Sequence, residues 1–186
     1  MLNVRDAEKS NTAEELIRIQ QEVPEVQIHY VYIDGANLNQ GCKLENIRMD
    51  YSKLKTFLHK NRKISALYYY DTTLNLPQQI RFYNKLAQFG YTLKLTKVKK
   101  YGNSPVEQKL VNTQIVADSL WEGFHNKYDV AIFLSGDKDI LPAVQYIMTM
   151  GKNVEIMSFW NCLAWLLRSS GAKITNLTKY KDQLKM

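Results

Sequence analysis

Two short acidic segments constrain this chain more than any other feature: Ile33-Asp34-Gly35-Ala36-Asn37 and Ser135-Gly136-Asp137-Lys138-Asp139. Each follows an apolar run, His29–Ile33 before the first and Val130–Leu134 before the second. Runs of that length, bounded by turn residues, read as buried strands. Each tip therefore puts carboxylates where a strand leaves a sheet. In open α/β sheets, ligands bind outside the carboxyl ends of the strands.

The rest of the chain repeats the alternation. Asp50 has the placement of an N-cap for a helix through His59. Ile64–Tyr70 reads as a second strand ending at Asp71. Pro77 opens a helix that Gly90 closes near Phe89. Thr92–Val98 has the period-two alternation of a third strand. After a loop with Gly102, Asn103, Ser104 and Pro105, the longest helix is expected over Val106–Trp121. Strand Val130–Leu134, helix Asp139–Met150, strand Asn153–Ser158 and helix Asn161–Arg168 follow, then a short apolar stretch at Ile174–Leu177. Strands alternating with helices at this spacing predict an α/β fold with a mainly parallel sheet of about five strands and helices on both faces. Right-handed crossovers then bring Asp34, Asp71, Asp137 and Asp139 to one edge.

Thr12–Gln21 reads as a separate helix, with Thr12 and Glu15 spaced as a capping box and Leu16, Ile17 and Ile19 as its apolar side. The expected organisation is an N-terminal helical extension (1–27), one α/β domain (28–178) and a polar, frayed C-terminal tail (179–186). The extension is available for self-association or for a protein partner. Trp160, Leu163, Trp165 and Leu166 are expected to pack in the core, with an interface to another chain as the alternative.

The chain of 186 residues contains no apolar run near the roughly 20 residues that cross a membrane, and Met1–Gln27 has no signal-peptide core. A soluble cytoplasmic protein without membrane contact is expected. Cys42 and Cys162 match no metal-ligand spacing and read as free structural thiols. The formal net charge of +7 favours a polyanionic partner. Lys94, Lys97, Lys99, Lys100 and Lys109 lie in one stretch with Tyr91 and Tyr101. That stretch is either a solvated strand edge or a phosphate-tracking surface with stacking rings.

Hard divalent cations take oxygen ligands, and phosphodiester hydrolysis uses such ions to offset charge and activate water. Two carboxylates about 5 Å apart repel by on the order of 3 kcal/mol at an effective dielectric near 20, so a cluster of Asp calls for a cation or a proton. Taken singly, Asp34, Asp71 and Asp137 are ordinary turn residues, with Asp71 favoured as one, and Asp139 is an ordinary N-cap. Asp118, inside the long helix, is either solvent-exposed or turned to the same edge. No Ser/His/Asp arrangement stands out. A phosphatase using D-x-D after the first strand is disfavoured by Asp34-Gly35-Ala36, and no Gly-rich nucleotide loop occurs.

Tyr32-Ile33-Asp34-Gly35-Ala36-Asn37-Leu38, Ala131–Asp139 and Gly151-Lys152-Asn153-Val154-Glu155 together resemble the NYN domain family, the LabA-like or DUF88 branch of the PIN-like nuclease superfamily. The likeness runs from about His29 to Leu177. It implies a PIN-like three-layer sandwich and an Mg²⁺- or Mn²⁺-dependent ribonuclease, acting on RNA in preference to DNA. Asp34, Asp137, Asp139 and Asp118 would form the catalytic and metal-holding set. Asn37, Ser135, Lys109, Asn112, Lys97, Lys99 and Lys100 would bind the substrate. The chain departs from the family at Lys109-Leu110-Val111-Asn112, where the family helix begins K-G-x-D. An amide in place of that acid brings no charge and cannot act as a base. The resemblance thus leaves two functions open: a one-metal ribonuclease, or a catalytically weakened module that binds RNA or a protein partner.

Overall fold

The computed structural model of the chain describes residues 26–98 and 109–186. The expected Thr12–Gln21 helix, the 102–105 loop, Tyr101, Lys99 and Lys100 lie outside those residues, as does the side chain of Lys109. The strands are β1 (Ile28–Asp34), β2 (Lys63–Thr73), β3 (Thr92–Lys97), β4 (Val130–Leu134), β5 (Asn153–Ser158) and β6 (Lys173–Asn176). The helices are α1 (Gly35–Leu44), α2 (Tyr51–His59), α3 (Pro77–Gln88), α4 (Lys109–Phe124), α5 (Leu141–Thr149), α6 (Trp165–Arg168) and α7 (Lys181–Leu184). All strand pairs are parallel, in the order β3-β2-β1-β4-β5-β6.

Period-two alternation in β1 divides the core. Val31 and Ile33 face one layer, with Leu38 of α1, Leu54 and Leu58 of α2, and Leu86 of α3. Tyr32 faces the other, with Ile115 of α4, Val144 and Ile147 of α5, and Leu167 of α6. Every residue of β4 is buried, as a central parallel strand covered on both faces requires. The architecture is thus the three-layer α/β sandwich expected from the sequence. Its sixth strand comes from the apolar stretch at Ile174, which pairs with Ile156 of β5.

The capping signals act as read. The Asp50 carboxylate accepts N–H bonds from Ser52 and Lys53 at 2.9 and 3.1 Å, and Pro77 opens α3. α1 had no signal in the sequence, because Gly35, Asn37, Asn39 and Gly41 are weak helix formers. Its start is set by tertiary packing: a Cβ on Gly35 would lie 2.6 Å from the Tyr69 ring, so only glycine lets the helix turn so close to β2.

Three expectations are corrected. The helix expected over Asn161–Arg168 is interrupted, with a 3₁₀ turn at Trp160–Cys162 before α6. Of the four apolar residues there, only Leu163 is core; Trp160, Trp165 and Leu166 are exposed. The C-terminal tail is docked rather than frayed. Leu184 is fully buried, its carbonyl accepts the Asp50 N–H at 2.8 Å, and Met186 N–H donates to the Arg48 carbonyl at 2.9 Å. The two cysteines are free, as expected. Among the described residues no helix is long and apolar enough to cross a membrane.

Because Leu184 fills the core beside α2, Leu184→Ala is expected to cost about 2–4 kcal/mol. A thermal melt should show Tm falling by roughly 5–15 °C; an unchanged Tm would mean that the tail contributes nothing.

Candidate metal centre at the sheet edge

The strand order contains one reversal. The chain builds outward from β1 through β2 to β3, then returns to β4 on the other side of β1 and builds outward through β5 to β6. β1 and β4 are therefore neighbours whose following connections leave in opposite directions. The crevice at their carboxyl ends is the switch point where open α/β sheets bind ligands. The two acidic tips face each other across it.

Asp34 ends β1 and caps α1. Its Oδ1 accepts the Asn37 N–H at 3.0 Å, and Ser135, just past β4, donates its hydroxyl to Oδ2 at 3.1 Å. The Asn37 side-chain carbonyl accepts the Gly136 N–H at 2.8 Å, so each tip holds the other. Ser135 Oγ also accepts the Asp137 N–H at 3.2 Å. Gly136 has no room for a side chain, because a Cβ would sit 2.1 Å from the Cys162 carbonyl oxygen. The turn after β5 thus supports the second tip from behind, and Ala164 N–H bonds the Gly136 carbonyl at 2.9 Å.

Asp137 accepts two further bonds, from Asp139 N–H at 3.0 Å and from the side-chain amide of Asn112 at 3.1 Å. Where an acid at 112 would repel Asp137, the amide donates to it. Asp139 is exposed and joins through its backbone. Asp118 does not share a bond with this group. Six residues along α4 from Asn112, about 9 Å of helix, it accepts the Tyr70 hydroxyl at 2.9 Å and pairs with Lys94 at 3.4 Å. One turn further, Glu122 accepts the hydroxyls of Tyr32 and Tyr68, both at 2.6 Å. These bonds from β1, β2 and β3 fix the seating of α4 and so place Asn112 over Asp137.

Lys97 is exposed at the end of β3. Tyr91 is not a stacking ring; it is buried, and its hydroxyl donates to the Tyr51 carbonyl at 2.7 Å. Asp71, read from sequence as a turn residue, belongs to the neighbourhood of Asp34. It accepts the Thr72 N–H at 2.8 Å and the Tyr83 hydroxyl at 3.3 Å. Its signal was available: it ends the apolar run of β2 at the same edge.

Burial drives the Asp34 pKa above the usual carboxylate range. The bonds from Asn37 and Ser135 oppose that rise, and the charges of Asp137 and Asp71 add to it. Burial likewise raises Asp71. Among the described residues neither carboxylate, nor that of Asp137, forms an ion pair with Lys, Arg or His. Nor do any three His, Cys, Asp or Glu among those residues converge closely enough to hold a metal. The donor set of Asp34 and Asp137 is hard oxygen, electronegative and uncompensated. It suits a cation of the Mg²⁺ type, which uses one or two carboxylates and keeps places for water and substrate phosphate. It does not make a cage for a tightly resident ion.

The chain matches the NYN domain over residues 29–178 and belongs to that family. The fold is shared with a protein of unknown function from Vibrio parahaemolyticus, at a TM-score of 0.75 and 15% identity, over 89% of this chain and 99% of that one. At that identity the likeness concerns the fold alone. No curated relative matches.

The raised Asp34 pKa has a consequence for stability. Folding favours protonated Asp34, so its contribution is fully present below the ordinary carboxylate value near 3.9 and is lost as pH rises through the raised folded value. Asp34→Asn is expected to raise Tm at pH 7, by about 2–4 °C for each kcal/mol of relieved burial cost. The gain should vanish as pH falls below about 4. Melts of both proteins across that range check this; a lower Tm for the variant at pH 7 would contradict it.

Asn112→Asp, in turn, is expected to reduce stability without metal and to tighten Mn²⁺ binding on the order of tenfold, by adding a charge beside Asp137. The readout is the Mn²⁺-induced rise in Tm, which should be larger in the variant than in the wild type.

Proposed function

We propose that this protein is a divalent-metal-dependent ribonuclease whose active centre is the crevice between the ends of β1 and β4. The observation that carries the reading is the buried, uncompensated Asp34 carboxylate, joined to Asp137 through Ser135 at the switch point of the sheet. Burial opposes that charge, and a ligand that brings positive charge would relieve the cost. Membership of the NYN family supports the same class, and RNA is the substrate we propose from the resemblance of the acidic segments.

In this reading Asp34 and Asp137 would hold Mg²⁺ or Mn²⁺. When bound, the ion would neutralise the scissile phosphate and lower the pKa of a water. Asn37 and Ser135 orient the Asp34 carboxylate and hold the backbone of the second tip, Asn112 fixes the Asp137 side chain, and Asp139 lies on the exposed rim. Asp118, held by Tyr70 and Lys94, acts as an anchor of α4 and as an outer member of the acidic set. Lys97 stands at the end of β3 where a phosphodiester leaving the crevice would pass, with Lys99, Lys100 and Lys109 beyond it in the chain.

Asn112 favours a second reading. Its hydrogen bond already satisfies Asp137, which weakens the demand for a metal and fits a module that holds RNA without cutting it. One experiment separates the two. Single-stranded RNA is incubated with the wild type and with Asp34→Asn in Mn²⁺. A ribonuclease should lose roughly 100-fold or more of its rate in the variant. Equal cleavage by both would assign the activity to a contaminant. RNA retention with no cleavage by either would select the binding module.

A further inference from the structure

The opposite edge of the sheet, where the strands begin, carries a cavity of about 790 Å³ that the proposed reaction does not use. Its walls come from strand starts and the turns before them: His29 of β1, Arg62 just ahead of β2, Lys152 and Glu155 at β5, Lys173 at β6, and Lys60 after α2. Four of these six are permanent cations. Glu155, the single acid among the described residues of the lining, is nearly fully buried and arranges two of them. Arg62 approaches both its oxygens at 3.2 and 3.3 Å, Lys173 pairs at 3.3 Å, and Thr175 donates its hydroxyl to it.

Part of this cluster is structural, because it ties the starts of β2, β5 and β6 together. That role accounts for one positive charge against Glu155 and leaves the others over. The Lys152 ammonium bonds the neutral Tyr128 carbonyl at 2.8 Å, and Lys60 makes no side-chain bond among the described residues. A further carboxylate, Asp129, lies in the adjoining groove and accepts the Ile28 N–H at 2.7 Å. The balance remains positive, in a concave and mainly polar setting. Among the described residues no Tyr, Trp or Phe ring lines the cavity, so they offer nothing on which a base would stack.

The geometry points to a second RNA-binding site here, a basin that takes the phosphodiester backbone of the strand whose cleavage site lies at the opposite edge. This inference rests on the reading of the protein as RNA-binding. β1 is seven residues long, so the two edges are about 20 Å apart through the sheet. A trinucleotide at the crevice cannot reach the basin, whereas a strand of about 20 nucleotides can, at roughly 3.4 Å or more per nucleotide. The basin therefore selects long RNA over short by adding affinity, without touching the reacting phosphate.

The test uses the full chain and binding to a single-stranded RNA of about 20 nucleotides as a function of salt. The variant Lys60→Gln/Lys152→Gln/Lys173→Gln should lower the slope of log K against log salt by about 2, at roughly 0.7 for each phosphate no longer neutralised. The Arg triple variant at the same positions should restore it. Removing equal charge elsewhere, in Lys43→Gln/Lys85→Gln/Lys179→Gln, should change the slope much less. Trinucleotide binding should be the same in all four proteins. Should the neutral triple variant fail to fold, Lys60→Glu alone, at an exposed side chain, is expected to lower affinity several-fold. An unchanged slope, or an equal drop in the control triple, would overturn the basin while leaving the crevice chemistry intact. A basin that passes in a protein whose wild type and Asp34→Asn form cleave nothing would stand although the ribonuclease reading falls.

Discussion

Asp34 is the residue on which the site's architecture turns. Its carboxylate ends β1, caps α1 through the Asn37 N–H and receives the Ser135 hydroxyl from beyond β4. Asn37 returns the contact by accepting the Gly136 N–H. These three bonds lock two connections that leave the sheet in opposite directions. They also hold a charge in a place where burial opposes it. In the proposed reading, a cation arriving from the crevice would relieve that cost.

The long helix supplies the second control. α4 is held on the sheet by hydroxyls of Tyr32, Tyr68 and Tyr70 and by Lys94, all directed to Asp118 and Glu122. That clamp determines which residue, a turn and a half earlier, meets Asp137. In this chain it is an amide, and a donated hydrogen bond replaces a repulsion. The acidic edge is less charged as a result.

The two ends of the parallel sheet have opposite character. Carboxylates collect where the strands end, and cations where they begin, around the buried Glu155. If the basin binds as proposed, the length of a polyanion decides whether it can use both ends of the sheet.

Much of this was legible in the residues. The apolar runs ending at Asp34 and Ser135, the Asp50 cap and the Pro77 start all depend on local spacing, so they could be read directly, and chain alternation put the carboxylates on one edge. α1 could not be read, because its glycines and asparagines serve a close approach to Tyr69 rather than helix propensity. The docking of Leu184, the burial of Tyr91 and the pairing of Asp118 with Lys94 likewise depend on partners far away in the chain. What the sequence determined alone was the set of chemical groups and the edge they share, because a parallel crossover fixes which end of each strand they occupy. Only the tertiary structure decided that β4 lies beside β1. That adjacency brings Asp137 to Asp34 through Ser135, and the seating of α4 turns Asn112 toward Asp137 while leaving Asp118 with Tyr70 and Lys94.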